Sequence, residues 1–288
     1  MSLRRKVSAA AVAVATAFAL TACGGSDDTL KIGSTDIQQE HWKVFEQELE
    51  KAGIKAQLVP FSDYNIPNQA LVDGEIDVNN FQHMMFLGTY NNKNNQDLKP
   101  VGATEIIPLG LYYKDGKSLD DVAKAGKVVI PNDPSNQGRA INLLAANKLV
   151  TLKKEGLLTP TPADVDDSKS KVKLVPVDAA QTATSYHDGT PAVVNNSFLE
   201  AGNIDPTNAI VKDDPKDPSA QPYINGFVTT KEHQNDEELK KLVEIWHSKP
   251  VQDALERSSK GTSVEVKMDG EELNKVLEDT QAKLKDQG

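Results

Sequence analysis

The densest cluster of groups suited to chemistry is Val129-Ile-Pro-Asn-Asp-Pro-Ser-Asn-Gln-Gly-Arg139. An apolar strand runs into a loop rich in Pro and Asn, and Gly138 and Arg139 then open a helix. In an open parallel sheet, ligands bind beyond the carboxyl ends of the strands. A helix N-terminus placed there offers free N–H groups to an anion, and the planar fork of Arg139 suits a carboxylate. The plainer alternative is an arginine that caps the surface. A second cluster is Asp77-Val-Asn-Asn-Phe-Gln-His-Met-Met-Phe-Leu87. Phe81, His83 and Phe86 there are spaced to line an apolar slot, with His83 as a wall residue rather than an acid or base. Met84 and Met85 read as core. Tyr64, in the loop after the second strand, is placed to close the same slot. Asn195 ends the strand Ala192-Val-Val-Asn195, and Asn225 lies in Gln221-Pro-Tyr-Ile-Asn225-Gly. Each amide oxygen can accept from an ammonium, although each residue taken singly reads equally well as a turn former.

Signatures of turnover are missing. The chain has no Gly-x-Ser-x-Gly elbow, Gly-x-Gly-x-x-Gly, P-loop or His-Glu-x-x-His. Its five histidines show no metal-ligand spacing. The carboxylates of Lys212-Asp-Asp-Pro-Lys-Asp-Pro-Ser fit no calcium loop and read as a solvated turn. The expectation is a binding protein without catalytic residues, metal or cofactor, and a lipid-anchored hydrolase is disfavoured.

The elements that must position these groups follow from periodicity. Leu30–Gly33 and Ile54–Val59 read as strands flanking a helix with Trp42, Phe45, Leu49 and Ala52 on one face, ended by Gly53. Strand, helix, strand implies a parallel sheet. Further elements are a helix over Pro67–Asp73, a strand over Glu75–Val78, a helix from about Phe81 to Tyr90 and a strand over Val101–Ile107. A second αβ series follows: helix Leu119–Lys124, strand Lys127–Ile130, loop Pro131–Gln137, helix Gly138–Leu149, and strands Lys171–Pro176 and Pro191–Asn195. After the strand-like Tyr223–Thr229 come helical stripes of Leu239, Leu242, Val243 and Trp246, then of Leu273, Val276, Leu277 and Leu284. No internal sequence repeat is visible. The expected fold is α/β with two lobes: residues 30–108 with 226–288 form the first, 109–225 the second, and the crossovers fall near 109 and 225.

The N-terminus supplies an address. Arg4, Arg5 and Lys6 precede an apolar run that ends at Leu20-Thr21-Ala22-Cys23. This order is that of a secretory signal, and the cysteine at the cut resembles the lipobox of bacterial lipoproteins, whose thiol is acylated. Residues 1–22 are the expected signal and 23–29 a flexible tether through Gly24, Gly25 and Ser26. Loss of the signal leaves 266 residues, enough for two lobes, and takes the net charge from −10 to −13. A body so acidic argues against nucleic acid or anionic lipid as partner. Membrane contact is therefore expected through lipid on Cys23, the only cysteine.

At Asp63-Tyr-Asn-Ile-Pro-Asn-Gln-Ala-Leu, Asp77-Val-Asn-Asn-Phe-Gln-His83, Pro131-Asn-Asp-Pro-Ser-Asn-Gln-Gly-Arg139 and Pro222-Tyr-Ile-Asn225 the chain is similar to the methionine-binding lipoprotein family, the substrate-binding receptors of ABC importers. The resemblance runs over essentially all residues after the signal. It implies a periplasmic-binding-protein fold of type II character with two hinge crossovers, closing over free L-methionine at the extracytoplasmic face of a cell membrane. Delivery to an ABC permease and its ATPase subunits is implied with it. By this likeness Arg139 holds the α-carboxylate, Asn195 and Asn225 the α-amino group, and Tyr64, Phe81, His83 and Phe86 enclose the thioether. Where typical members follow Phe-Gln-His with Val-Pro-Tyr, this chain has Met84-Met85-Phe86, which implies a softer wall lacking one phenol. D-methionine, a methionine-containing dipeptide or another small amino acid is the alternative ligand, and a surface adhesin the alternative of another class.

Overall fold

The structure, a computed structural model, describes residues 29–287. Cys23, the signal over 1–22 and all of the tether but Thr29 lie outside the described residues. Eleven strands form two sheets among the described residues. In chain order they are β1 (Leu30–Ser34), β2 (Ala56–Pro60), β3 (Val78–Asn79), β4 (Lys99–Ile106), β5 (Gly110–Tyr112), β6 (Lys127–Pro131), β7 (Lys173–Val177), β8 (Ala192–Val194), β9 (Val211–Lys212), β10 (Ile224–Thr229) and β11 (Val264–Glu265). The first sheet runs β2-β1-β3-β10-β4-β11 and the second β7-β6-β8-β5-β9. In the first, β1 is parallel to β2 and β3, while β10 is antiparallel to β3 and β4. In the second, β6 is parallel to β7 and β8, while β5 is antiparallel to β8 and β9.

The two sheets therefore repeat one plan, although the sequence shows no repeat. Each has a parallel βαβ unit, and each has one antiparallel strand that arrives directly from the other lobe. The chain leaves the first sheet at Ile106 and enters the second at Gly110; it leaves β9 at Lys212 and regains the first sheet at Ile224. Ala220 and Ile224 on the return path already pack into a core of the first lobe.

Burial follows the periodicities. In the helix Glu40–Lys51, Trp42, Phe45 and Leu49 are buried and pack against Phe227 and Trp246. Ala52 lies one residue past the helix and is exposed, and Gly53 takes φ +79°, the left-handed conformation that glycine reaches without strain. In β6, Val128 and Ile130 face one core while Val129 faces another, which it shares with Ala183 and Phe198. Both faces are covered, as expected for parallel strands. The helix Gly270–Gln287 buries Leu273 and Leu277 in the same core as Met84 and Leu87. No helix among the described residues is long and apolar enough to cross a membrane.

Two helix starts differ from the sequence expectation, and both bear on the cleft. The helix expected from Phe81 runs over Met84–Asn94, because His83 stays extended and its side chain accepts from the Phe86 N–H. The helix expected from Gly138 runs over Pro134–Ala146, because Asp133 caps it and Pro134 is preorganised for its first position. Arg139 therefore stands in the second turn, not at the helix mouth. Gly138 has a packing role instead: a Cβ there would lie 2.5 Å from Thr159 Cα and 3.0 Å from Thr159 C. Backbone cannot yield as a side-chain tip can, so Gly138→Ala is expected to destabilise the protein by about 1–3 kcal/mol, read as a lowered urea midpoint with an unchanged slope.

Candidate ligand-binding site

The seven residues singled out from the sequence, Tyr64, Phe81, His83, Phe86, Arg139, Asn195 and Asn225, all line one small cavity between the lobes. The loop after β2 brings Tyr64, the segment after β3 brings Phe81 and His83, and the end of β8 brings Asn195. The helix after β6 brings Arg139, and β10 brings Asn225.

Arg139 is buried, with a side chain 6% exposed. Its Nε donates to Asp213 Oδ2 at 2.5 Å, and its Nη2 donates to Asp213 Oδ1 at 3.1 Å and to Ile107 O at 3.0 Å. The guanidinium lies 4.2 Å from the Tyr223 ring centroid, a cation–π contact. Three of its five N–H groups are thus committed, and no acceptor among the described residues engages Nη1. Asp213, which the sequence placed in a solvated turn, also accepts from Leu109 N at 2.8 Å. The anchor is in this way tied to both connections between the lobes.

A chain of amides sets the opposite wall. Asp133 accepts from Asn136 N at 2.9 Å and from Asn136 Nδ2 at 3.1 Å. Asn136 must therefore turn its oxygen to the cleft, where Asn195 Nδ2 donates to it at 2.9 Å and His83 Nε2 lies 3.2 Å away. His83 Nδ1 already accepts from Phe86 N, so the proton sits on Nε2 and the imidazole is neutral. Burial, with the Arg139 charge beside it, depresses the His83 pKa to about 3. With its amide nitrogen so used, Asn195 is left with a buried Oδ1 that has no hydrogen-bond partner. Asn225 is oriented alike, for its Nδ2 donates to Glu105 O at 3.2 Å. The site thus holds a half-used cation and an unused buried acceptor. It offers no arrangement of nucleophile and base, and the described residues contain no grouping suited to a metal ion.

Between these polar walls lies an aromatic one. The Tyr64 ring stands 5.9 Å from Phe81, 6.0 Å from Phe86 and 5.0 Å from Phe198 of the other lobe, and Phe81 stands 5.6 Å from Phe86. Burial raises the Tyr64 phenol pKa. Met84 and Met85 do not share in this wall: both are buried and neither lines the cavity, so the softer wall implied by the resemblance does not come from direct contact with them. Of the divergent triplet only Phe86 reaches the cavity.

Sequence reasoning missed Asn136 and Ser197, which line the cavity, and Asp213 and Tyr223, which hold Arg139. Asn136 carried a readable signal, three residues past a capping Asp before Pro, which gives one face to the cap and the other to the cleft. Asn68, Asn79 and Gln82, the last of which also lines the cavity, form a buried amide cluster, with Asn68 Nδ2 donating to Gln82 Oε1 at 2.8 Å and Gln82 Nε2 to Asn79 Oδ1 at 2.9 Å. Packing of that kind fixes the residues on either side of Gln82, namely Phe81 and His83.

Residues 30–267 match the family model described as NlpA lipoprotein. The chain is 33% identical to the D-methionine-binding lipoprotein MetQ of Escherichia coli O157:H7 over 272 residues, covering 92% of this chain and 99% of that one. Among solved structures it is similar to the substrate binding protein of a methionine transporter from Streptococcus pneumoniae, with TM-score 0.76 and 29% identity over 83% of this chain and 95% of that one. It is also similar to a nutrient binding protein from Burkholderia cenocepacia bound to methionine, with TM-score 0.75 and 32% identity over 82% of this chain and 99% of that one. Two lobes built on one plan, a cleft with matched polar ends and these similarities over nearly the whole length agree: the chain belongs to the NlpA lipoprotein family.

Proposed function

We propose that the protein captures methionine in the cleft between its lobes and delivers it to an ABC permease, as the lipid-anchored receptor of an importer. The observation that carries this reading is the pair of complementary unused groups in one cavity, Nη1 of Arg139 and Oδ1 of Asn195. A buried zwitterion needs a cation at one end and acceptors at the other, because unpaired buried charge is costly. In this reading Arg139 takes the α-carboxylate, and Asn195 and Asn225 take the α-ammonium. Tyr64, Phe81, His83 and Phe86 enclose the side chain, where each sulfur–aromatic contact contributes about 0.3–1.5 kcal/mol. The lobes are residues 30–108 with 226–288, and 109–225, the return path over 220–225 being packed already on the first. Their closure and docking on the permease are the transport step, with no chemical conversion.

Calorimetry on residues 23–288 with L-methionine, D-methionine and glycylmethionine tests the ligand. Heat with methionine is expected; silence toward methionine beside a clear signal from another amino acid overturns it. The names of the relatives favour including the D-isomer. Mass spectrometry of gently denatured protein reads out any ligand carried through purification. The anchor is tested separately: Cys23→Ala is expected to move the protein from the membrane to the soluble fraction of cells with methionine affinity unchanged. Retention on the membrane would remove Cys23 as the anchor.

A further inference from the structure

Building on the methionine reading, we propose that Asp213 is a specificity-determining residue that fixes the net charge of the ligand: by balancing Arg139 it makes the cleft select net-neutral amino acids over anions bearing the same carboxylate and side chain. A lone arginine in a pocket attracts any carboxylate. Arg139 is not alone, because Asp213 holds its Nε and Nη2 edge at 2.5 and 3.1 Å. The carboxylate of Asp213 is itself held in place, since Oδ1 also accepts from Leu109 N at 2.8 Å. The pair is therefore a fixed unit of zero net charge, built where both connections between the lobes pass.

No other residue lining the cavity adds a positive charge. His83 is neutral by its bonding, one ring nitrogen accepting from Phe86 N and the other facing Asn136 Oδ1. Asp133 stands behind Asn136, capping a helix and accepting from Asn136 and Ser135; its charge and that of Asp36 both reach Tyr64, and both add to the exclusion of an anion. The phenols of Tyr64 and Tyr223 are held neutral by burial. A ligand with a carboxylate alone brings an uncompensated negative charge into this closed space. A zwitterion brings none, and its ammonium satisfies the orphan Oδ1 of Asn195. Asp213 touches no ligand in this scheme; it acts through Arg139, by setting both the orientation of the fork and the charge that remains.

The test compares methionine with 4-(methylthio)butanoate, which is methionine without its amino group, by calorimetry. The wild-type protein is expected to prefer methionine by at least a hundredfold. In Asp213→Asn, which keeps the size but removes the charge, the preference is expected to shrink by tenfold or more, because unbalanced Arg139 repels the ammonium and welcomes the anion. A preference in Asp213→Asn within twofold of wild type overturns the proposal. So does wild-type binding of the anion within tenfold of methionine, a measurement that needs no variant to fold. A purely structural role for Asp213 would weaken both ligands alike and leave the ratio unmoved. If methionine does not bind at all, the ligand reading fails instead, and the same ratio is measured with the amino acid that does bind and its deamino analogue.

Discussion

Arg139→Ala is expected to weaken methionine binding by about 2–5 kcal/mol, roughly thirtyfold to several thousandfold in Kd. The range is that for removing one partner of a buried, hydrogen-bonded charge pair, and the geometry places this residue at its upper part. The substitution strands three acceptors at once: the ligand carboxylate, the carboxylate of Asp213 and the carbonyl of Ile107. It also removes the cation stacked on Tyr223. Arg139→Lys should recover little, since an ammonium cannot hold both Asp213 oxygens along one edge and present a second edge to the ligand. Calorimetry reads the affinity, and a thermal melt of each variant separates lost binding from lost folding. An affinity for methionine unchanged in a folded Arg139→Ala protein would take Arg139 out of the site.

Much of this site was legible because of where polar residues stand in an α/β chain. Asn195 and the loop before Arg139 both follow strands of the second sheet, and a side chain just past a parallel strand has few places to go except the cleft. His83 was legible as a wall residue from its aromatic neighbours. Asp213 was not legible, because Asp-Asp-Pro has the composition of an ordinary exposed turn; only the tertiary path, which carries β9 beside β5, brings it to Arg139. The start of the arginine helix was misplaced because Pro-Ser-Asn-Gln-Gly reads as loop by propensity, whereas the Asp133 cap and Pro134 make it a first turn. The common plan of the two sheets was invisible for a related reason. Each lobe meets its pattern of buried positions with different residues, Trp42, Phe45 and Leu49 in one helix and Ala140, Ile141 and Leu144 in another. Pairing order is a property of the backbone that apolar periodicity does not encode.

The contribution of Glu105 to stability is expected to fall as pH rises from about 4.5 toward 8, and Glu105→Gln to remove that fall, while neutral His83 contributes a rise up to about pH 6.5 in both proteins alike. Glu105 lies on β4, two residues before the carbonyl that holds Arg139, and is 5% exposed. Burial first, and then the negative charges of Asp36 and Glu265, push its carboxyl up to about 8, only partly opposed by the Trp246 indole N–H that donates to Oε2 at 3.0 Å. His247 Nδ1 lies 2.7 Å from Glu265 Oε1, and Trp42 Nε1 donates to Asp36 Oδ1 at 2.8 Å. The sign follows from proton binding. Between about 4.5 and 8 the folded protein keeps a proton that the unfolded chain has already released, so raising the pH draws the equilibrium toward the unfolded state. The stabilisation is complete below pH 4.5 and is lost as the pH passes through the folded value, by about 2–5 kcal/mol in all. Glutamine keeps an acceptor for Trp246 and cannot ionise, so the variant should gain stability at pH 8 and little at pH 4.5. Urea unfolding of both proteins at pH 4.5, 6 and 8 measures the difference. A wild-type profile parallel to that of Glu105→Gln would mean that Glu105 is ionised in the folded protein, and the strand that carries the cleft's backbone acceptors would then owe nothing to a buried proton.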